Sequence, residues 1–148
     1  MNRLLSSLCI FGFLFQINIC LAQQSETFGN YEVHYNVINS NLLPAQAAQG
    51  YGISRSANRA LVNIAVLDTT QGDYGTAVNA SVTTSATNLT GQRRDVEMRE
   101  IVDPEGAIYY IGEMPIHNLE TYNFSVTVSV QGGGEPFNLE FRQQFYTE

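Results

Sequence analysis

A strict alternation of apolar and polar residues near the end of the chain restricts the fold more than any other feature. Between residues 121 and 131, the apolar positions are Tyr122, Phe124, Val126, Val128 and Val130, and the residues between them are polar. Successive side chains of a strand point to opposite faces, so this pattern predicts a strand with one buried and one solvated face. β-Branched and aromatic residues also suit a pleated sheet.

The segments around this strand follow the same pattern. Three glycines at 132–134 and Pro136 predict a hairpin loop, and residues 137–145 predict the returning strand. Alternation over 31–37 predicts another strand. The almost continuous apolar run at 60–67 is typical of a central strand that is covered on both faces.

The middle of the chain adds further strand signals. A stretch rich in Thr, Ser, Ala and Val covers 75–90, and a strand is predicted over 93–102 with Val96 and Met98 facing inward. A turn at 103–106 precedes a short aromatic strand at 107–111. About seven strands, with turns every ~8 to 15 residues, predict an all-β fold, an antiparallel sandwich or barrel, of which we favour the β-sandwich.

One segment does not fit a strand. Residues 43–50 place Pro44 at a helix start, good helix formers after it and Gly50 at the end. This segment predicts one short helical turn.

The first 22 residues have the pattern of a secretory signal peptide. Arg3 supplies the positive charge, residues 4–15 are mostly apolar, and the Cys20-Leu21-Ala22 sequence predicts cleavage after Ala22. Gln16 and Asn18 interrupt the apolar run, which is too short for the ~20 residues that span a bilayer. We therefore predict a signal peptide at 1–22, one domain at 23–148 and no membrane insertion after cleavage.

The composition of the remaining chain favours the bacterial periplasm and excludes some partners. Both cysteines, Cys9 and Cys20, lie in the leader, so the mature chain has no thiol for disulfides or metal ligation. Loss of Arg3 leaves six arginines against 14 acids, a formal net charge of 6 − 14 = −8. A surface this acidic is unsuited to nucleic acid or to anionic membranes.

No arrangement of residues predicts catalysis or a cofactor. The sequence has no Gly-x-Ser-x-Gly elbow, and its glycine run is followed by Pro136 rather than by the lysine and helix of a phosphate loop. His34 and His117 are the two histidines, and each has acids nearby in sequence. The alternative to a binding module therefore stays open: a metal or small-molecule site, with or without hydrolytic activity, that uses His34, His117 or Arg55.

Binding residues are predicted in two places. The polar segment 51–59 follows the helical turn and contains Tyr51, Arg55 and Arg59. The planar guanidinium of an arginine can hold a carboxylate or phosphate. Alternatively, these arginines pair with nearby acids and fix this segment as a long crossover between two strands. The neighbours Tyr109 and Tyr110 must point to opposite faces of a strand, so one ring is expected at or near the surface. Tyrosines there serve either as a binding patch or as edge packing.

Five segments carry a resemblance to a known family: 51–56 (YGISRS), 60–63 (ALVN), 88–92 (NLTGQ), 107–111 (AIYYI) and 141–146 (FRQQFY). On these the chain resembles small secreted proteobacterial proteins grouped as domain of unknown function 4426. The resemblance implies a periplasmic protein with an immunoglobulin-like sandwich, and it implies no activity, cofactor or catalytic residue.

These observations predict a non-catalytic interaction module in the periplasm. Its partner is expected to be a protein or envelope component, bound through a sheet edge or through the 51–59 crossover. Sequence leaves the oligomeric state open.

Overall fold

The computed structural model describes residues 24–148, so the predicted signal peptide lies outside the described residues. The strands are β1 (Gln24–Phe28), β2 (Tyr31–Asn39), β3 (Arg59–Asp68), β4 (Thr76–Ala77), β5 (Ala80–Asn88), β6 (Arg93–Val96), β7 (Arg99–Val102), β8 (Ile108–Pro115), β9 (Thr121–Val130) and β10 (Phe137–Gln144). A 3-10 turn (Ser40–Leu42) and helix α1 (Ala45–Gly50) follow β2.

The strands form two antiparallel sheets that pack face to face, which confirms the predicted β-sandwich. Sheet A has the order β1-β2-β3-β8-β7, with β4 also paired to β3, and sheet B has the order β10-β9-β5-β6. One margin of the sandwich therefore consists of β1 and β10, and the other of β6 and β7. In the described residues, no helix has both the length and the apolar character needed to cross a bilayer.

The main core lies between the sheets and follows the predicted alternation. Tyr122, Phe124, Val126 and Val128 of β9 are at most 1% exposed, whereas Asn123 between them is exposed. The predicted hairpin also forms, with β10 paired along β9. Burying an aromatic or branched side chain contributes roughly 1.5–3 kcal/mol, so this strand is a major source of stability.

The run at 60–67 becomes β3, a central strand covered on both faces as predicted. Its inward side chains, such as Val62 and Ile64, join the main core. Its outward Leu61 joins a second, smaller core with Ala48 of α1 and Ile111 of β8. The continuous apolar run thus reflects two different cores on the two faces of one strand.

The segment 93–102 differs from the single strand predicted for it. It forms β6 in sheet B and β7 in sheet A, so the chain changes sheets at Glu97 and Met98. The crossing requires Gly112 of β8, where a Cβ atom would lie 2.6 Å from Cγ1 of Val96 and 2.8 Å from the carbonyl oxygen of Glu97. This division, together with the short strands β1 and β4, raises the count from about seven strands to ten.

The helical turn forms where it was predicted, and a buried serine holds the crossover behind it. The Ser40 hydroxyl lies 2.8 Å from the carbonyl oxygen of Ser54 and accepts a hydrogen bond from the backbone N–H of Ser56 at 2.9 Å. This pairing positions residues 51–59 beside the outer face of sheet A.

Candidate functional site

The outward face of sheet A, which we call the outer face, carries the candidate site. The strand register sets its side chains in rows across the sheet: Ile38–Leu61–Glu113, then Asn36–Asn63–Ile111–Arg99, then His34–Ala65, then Glu32–Leu67. Helix α1 and the 51–59 crossover cover one end of this face. The face therefore changes along the strands from an apolar end to an end with a histidine and a carboxylate.

The apolar end contains a hollow of about 360 Å³, which we call the tyrosine hollow. Its lining residues are Asn36, Ile38, Leu43, Tyr51, Ile53, Leu61, Asn63, Ile101, Tyr109 and Ile111. A concave, largely apolar surface with a few polar groups is the usual form of a ligand site. This volume is at the lower end of the range for such sites, and it suits one ring or one branched side chain.

Two of the predicted binding residues, Tyr51 and Tyr109, meet at this hollow. Tyr51 follows α1 and is 37% exposed, and its carbonyl oxygen accepts a hydrogen bond from the Arg99 guanidinium. Partial burial raises the pKa of the Tyr109 hydroxyl, with smaller contributions from Asp103 and Tyr51. Tyr109 therefore stays protonated as a hydrogen-bond donor at neutral pH.

Asn63 lines the same hollow, although the sequence did not predict it as a site residue. Its Oδ1 atom is buried and has no hydrogen-bond partner among the described residues. A buried acceptor without a partner costs about 1–3 kcal/mol, so such atoms are rare unless something else binds them. The available signal was a polar residue inside the apolar run 60–67.

A second hollow of about 460 Å³, which we call the histidine hollow, adjoins the first because Tyr109 lines both. Glu32, His34, Ala65 and Asp73 are among its other lining residues. His34 Nε2 lies 3.5 Å from Glu32 Oε1, and His34 Nδ1 is a buried atom without a partner among the described residues.

The predicted arginines fix structure at the edge of the outer face. The Arg55 guanidinium donates a hydrogen bond to the carbonyl oxygen of Asn41 at 2.8 Å. Arg59 Nε lies 3.5 Å from Glu113 Oε1. Neither arginine lines the tyrosine hollow or the histidine hollow. These contacts agree with the alternative in which the two arginines fix the crossover.

Tyr110 lies in the main core rather than on the surface. It is 4% exposed, its hydroxyl accepts a hydrogen bond from the Ala80 N–H at 2.8 Å, and it donates to Glu100 Oε2 at 3.1 Å. The pair at 109–110 points to opposite faces as expected, and Tyr109 is the ring on the outer face. The structure therefore brings Tyr109 to Tyr51 and leaves Tyr110 unavailable to a ligand.

The two histidines do not share a site. His34 pairs with Ala65 in β3, whereas Pro115, two residues before His117, pairs with Arg59. Six residues along β3 correspond to roughly 20 Å, which is too far for two ligands of one zinc ion. Across residues 24–148, no group of three or more His, Cys, Asp or Glu side chains is placed to hold a metal ion.

His117 instead belongs to a polar cluster around Glu120. The carboxylate accepts hydrogen bonds from the Tyr122 hydroxyl at 2.6 Å and from Asn88 Nδ2 at 2.9 Å, and it lies 3.0 Å from His117 Nδ1. Burial by itself would raise the pKa of Glu120, but these hydrogen bonds outweigh it and lower the pKa to about 2. Burial, followed by contact with Glu120, raises the pKa of Tyr122 to about 12. The cluster joins the ends of β5 and β9.

Comparison with known proteins gives one family and several solved structures of similar fold. The family described as Domain of unknown function (DUF4426) matches residues 25–148. The crystal structure of a DUF4426 family protein from Pseudomonas aeruginosa PAO1 is similar to this chain, with a TM-score of 0.71 and 32% sequence identity over 83% of this chain and 94% of that chain. Among curated proteins, no sequence matches significantly.

FetP of uropathogenic Escherichia coli strain F11 is similar in fold alone. Its structure has a TM-score of 0.58 and 11% identity, over 84% of this chain and 94% of that chain. A copper-bound variant of FetP has a TM-score of 0.56 and 10% identity, over 84% and 90%.

Proposed function

The chain belongs to the DUF4426 family, a domain of unknown function, and from its geometry we propose an exported, periplasmic binding module without catalytic activity. The module engages a protein or another envelope component through the tyrosine hollow. The proposal of export rests on the signal-peptide pattern at 1–22 and on the absence of cysteine from the rest of the chain.

The observation that carries this proposal is the meeting of Tyr51 and Tyr109 at the rim of an apolar hollow. Tyrosine offers a large apolar ring and a hydroxyl donor at low entropic cost, and it is enriched in interfaces for that reason. Leu61, Ile101 and Ile111 contribute the apolar floor of this hollow.

Photo-cross-linking in cells tests this proposal directly. A photoreactive phenylalanine analogue is placed at Tyr51 and at Tyr109, and the captured species are identified by mass spectrometry. The matched control carries the analogue at Leu89, which is 67% exposed on the β5–β6 turn of the other sheet. We expect one partner that is captured from both hollow positions and not from Leu89.

A second variant tests whether capture depends on the shape of the hollow rather than on surface exposure alone. Ile101→Ala enlarges the floor without changing charge, and we expect it to reduce capture from Tyr109. Equal capture from Tyr51, Tyr109 and Leu89 would contradict the proposal, as would capture that is unchanged by Ile101→Ala.

A sheet edge is the second binding route that a specific observation favours. β1 pairs with β2 over Tyr31–Tyr35, and no described strand covers residues 36–39 on that side. A groove of about 810 Å³ runs beside them, with Tyr146 in its wall. An extended peptide can add to such an edge through main-chain hydrogen bonds. Capture from a photoreactive analogue at Tyr146, but not from Tyr51, would favour this route.

A further inference from the structure

We propose that one end of the sandwich docks on the surface of a membrane with anionic lipid headgroups. This end, which we call the leucine end, presents four exposed apolar side chains on the loops between its strands: Leu42, Leu89, Leu119 and Tyr146. The contact is peripheral, with these side chains in the headgroup region. The inference goes beyond the proposed function, because it uses a surface outside the tyrosine hollow.

Hydrogen bonds between the loops bring these four side chains to the same end. Leu42 and Tyr146 line one groove. The backbone N–H of Leu119 donates to the carbonyl oxygen of Phe145, the residue before Tyr146, at 2.8 Å. Leu89 follows Asn88, whose Nδ2 donates to Glu120 beside Leu119 at 2.9 Å. Three chain segments and the last residues of the chain therefore meet at one apolar surface.

The backbone of Leu119 shows that the fold does not by itself explain this leucine. Its φ of 63° lies in the left-handed region, which favours glycine and is strained for a leucine. Its side chain is 60% exposed, so burial within the fold offsets little of that strain. A strained residue of this kind indicates a role outside the folded domain, here the burial of the leucine against a second surface.

The charged residues favour an anionic surface at this end. Five of the six arginines outside the leader lie in its loops or within four residues of its strand ends: Arg55, Arg59, Arg93, Arg94 and Arg142. Arg55, Arg94 and Arg142 are exposed and have no carboxylate partner among the described residues. Apolar side chains together with unpaired arginines give the two attractions that hold a peripheral protein on an anionic membrane.

The acids of the opposite end lie too far away to prevent this contact. Its loops at 69–75, 103–107 and 131–136 contain no arginine, lysine or histidine, and they carry Asp73, Asp103, Glu105 and Glu135. Strand β9 runs from one end to the other with 10 residues, roughly 33 Å. The Debye length at physiological salt is about 8 Å, so a membrane at the leucine end is screened from these acids. The strongly negative net charge is therefore no bar to docking by this end.

The predicted leader joins the fold at the same end. β1 begins at Gln24, which lines the groove that Leu42 and Tyr146 also line. The predicted cleavage after Ala22 lies two residues before Gln24. A chain released there from its leader has the leucine end towards the membrane from which it was cleaved.

Co-sedimentation with lipid vesicles tests the inference on the protein from residue 23 to residue 148. One set of vesicles is phosphatidylcholine alone, and the other is phosphatidylcholine mixed with phosphatidylglycerol. We expect the protein to bind the mixed vesicles at least about tenfold more tightly, because each unpaired arginine near an anionic surface contributes about fivefold. Added NaCl is expected to weaken this binding.

Leu119→Gly separates a membrane role from a role in folding. Glycine adopts a φ of 63° without strain, so we expect this variant to unfold at the same urea concentration as wild type or a higher one. We also expect it to bind the mixed vesicles about threefold to tenfold more weakly. The matched control is Tyr74→Gly, which removes a side chain that is 93% exposed at the opposite end and should leave binding unchanged.

A second pair of variants tests the position of the charge. Arg94→Gln is expected to weaken binding to the mixed vesicles about fivefold. Gln71→Glu lowers the net charge by the same amount in the exposed loop 69–75 of the opposite end, and it should leave binding unchanged. Equal effects of the two variants would overturn the inference.

Other results would also overturn the inference. They are the absence of binding to the mixed vesicles, equal binding to both sets of vesicles, and a Leu119→Gly variant that is less stable than wild type. A photoreactive analogue at Leu119 that captures one protein and no lipid in cells would assign the leucine end to a protein partner instead. The proposed function is decided separately, by capture of one partner from Tyr51 and Tyr109.

Discussion

Replacement of Glu120 by glutamine measures how much one pre-organised carboxylate stabilises this fold. Three side chains from β5, β9 and the loop before β9 converge on this carboxylate, and its pKa falls from 4.5 to about 2. A decrease of that size corresponds to roughly 3 kcal/mol in favour of the charged form. The amide keeps one acceptor oxygen but no charge, so we expect Glu120→Gln to lower the free energy of unfolding at pH 7 by about 2–3 kcal/mol.

The lowered pKa of Glu120 also predicts how the stability difference between wild type and Glu120→Gln changes with pH. A carboxyl whose pKa is lowered by folding stabilises the folded state above its unfolded pKa, and this contribution disappears as the pH falls through the folded value. The difference between wild type and Glu120→Gln should therefore be full above about pH 4.5 and shrink towards pH 2. Urea unfolding followed by circular dichroism at pH 7, 5, 4, 3 and 2.5 measures it.

A matched control removes the effect of net charge. Glu135→Gln makes the same substitution in the exposed β9–β10 loop and is expected to change the free energy of unfolding by less than about 0.5 kcal/mol. A Glu120→Gln variant as stable as Glu135→Gln at pH 7, or a stability difference that does not depend on pH, would refute the reasoning.

The remaining predictions concern packing and the crossover, and each is measured by urea unfolding. Phe124→Ala removes a ring that is 1% exposed and stacked on Phe141 with centroids 4.9 Å apart, and should cost about 3–5 kcal/mol; a cost below about 1 kcal/mol would contradict the described core. Gly112→Ala should destabilise by about 1–3 kcal/mol because its Cβ meets the crossing chain, whereas Gly50→Ala meets nothing within 4 Å and should not destabilise; equal effects would contradict the crossing. Ser40→Ala leaves the Ser56 N–H without its acceptor and should cost about 1–3 kcal/mol, with hydrogen exchange at residue 56 accelerated relative to Gly50→Ala.

The sequence predicts those parts of the fold that depend on local pattern. The alternation of β9 and the apolar run of β3 appear directly in the residues, because burial repeats with the period of the strand. The change of sheet at 97–98 does not appear, because it depends on space that Gly112 provides on a strand more than ten residues away. A local pattern contains no information about such a long-range contact.

The candidate site was predictable by residue type and not by position. Tyr51, Tyr109 and Tyr110 were all predicted as binding residues, but the meeting of Tyr51 with Tyr109 depends on the pairing of β3 with β8 and on the buried Ser40 that holds the crossover. Arg55 was predicted as a binding residue because a guanidinium can hold a carboxylate or phosphate, although its contact is the backbone carbonyl oxygen of Asn41. Asn63 stood in an apolar run, and its unpaired oxygen becomes visible only once its neighbours are placed.

The change of sheet at Glu97 and Met98 also affects how copies of this protein can aggregate. Free strand edges are templates on which another chain can build an intermolecular sheet. At the β6–β7 margin each strand has only four residues, and consecutive strands belong to different sheets, so no long flat edge is available. Among the described strands, the longer free edges are those of the β1–β10 margin, where we expect ordered aggregation to begin. There, the charged side chains of Glu26, Glu140 and Arg142 oppose the approach of a second copy in register.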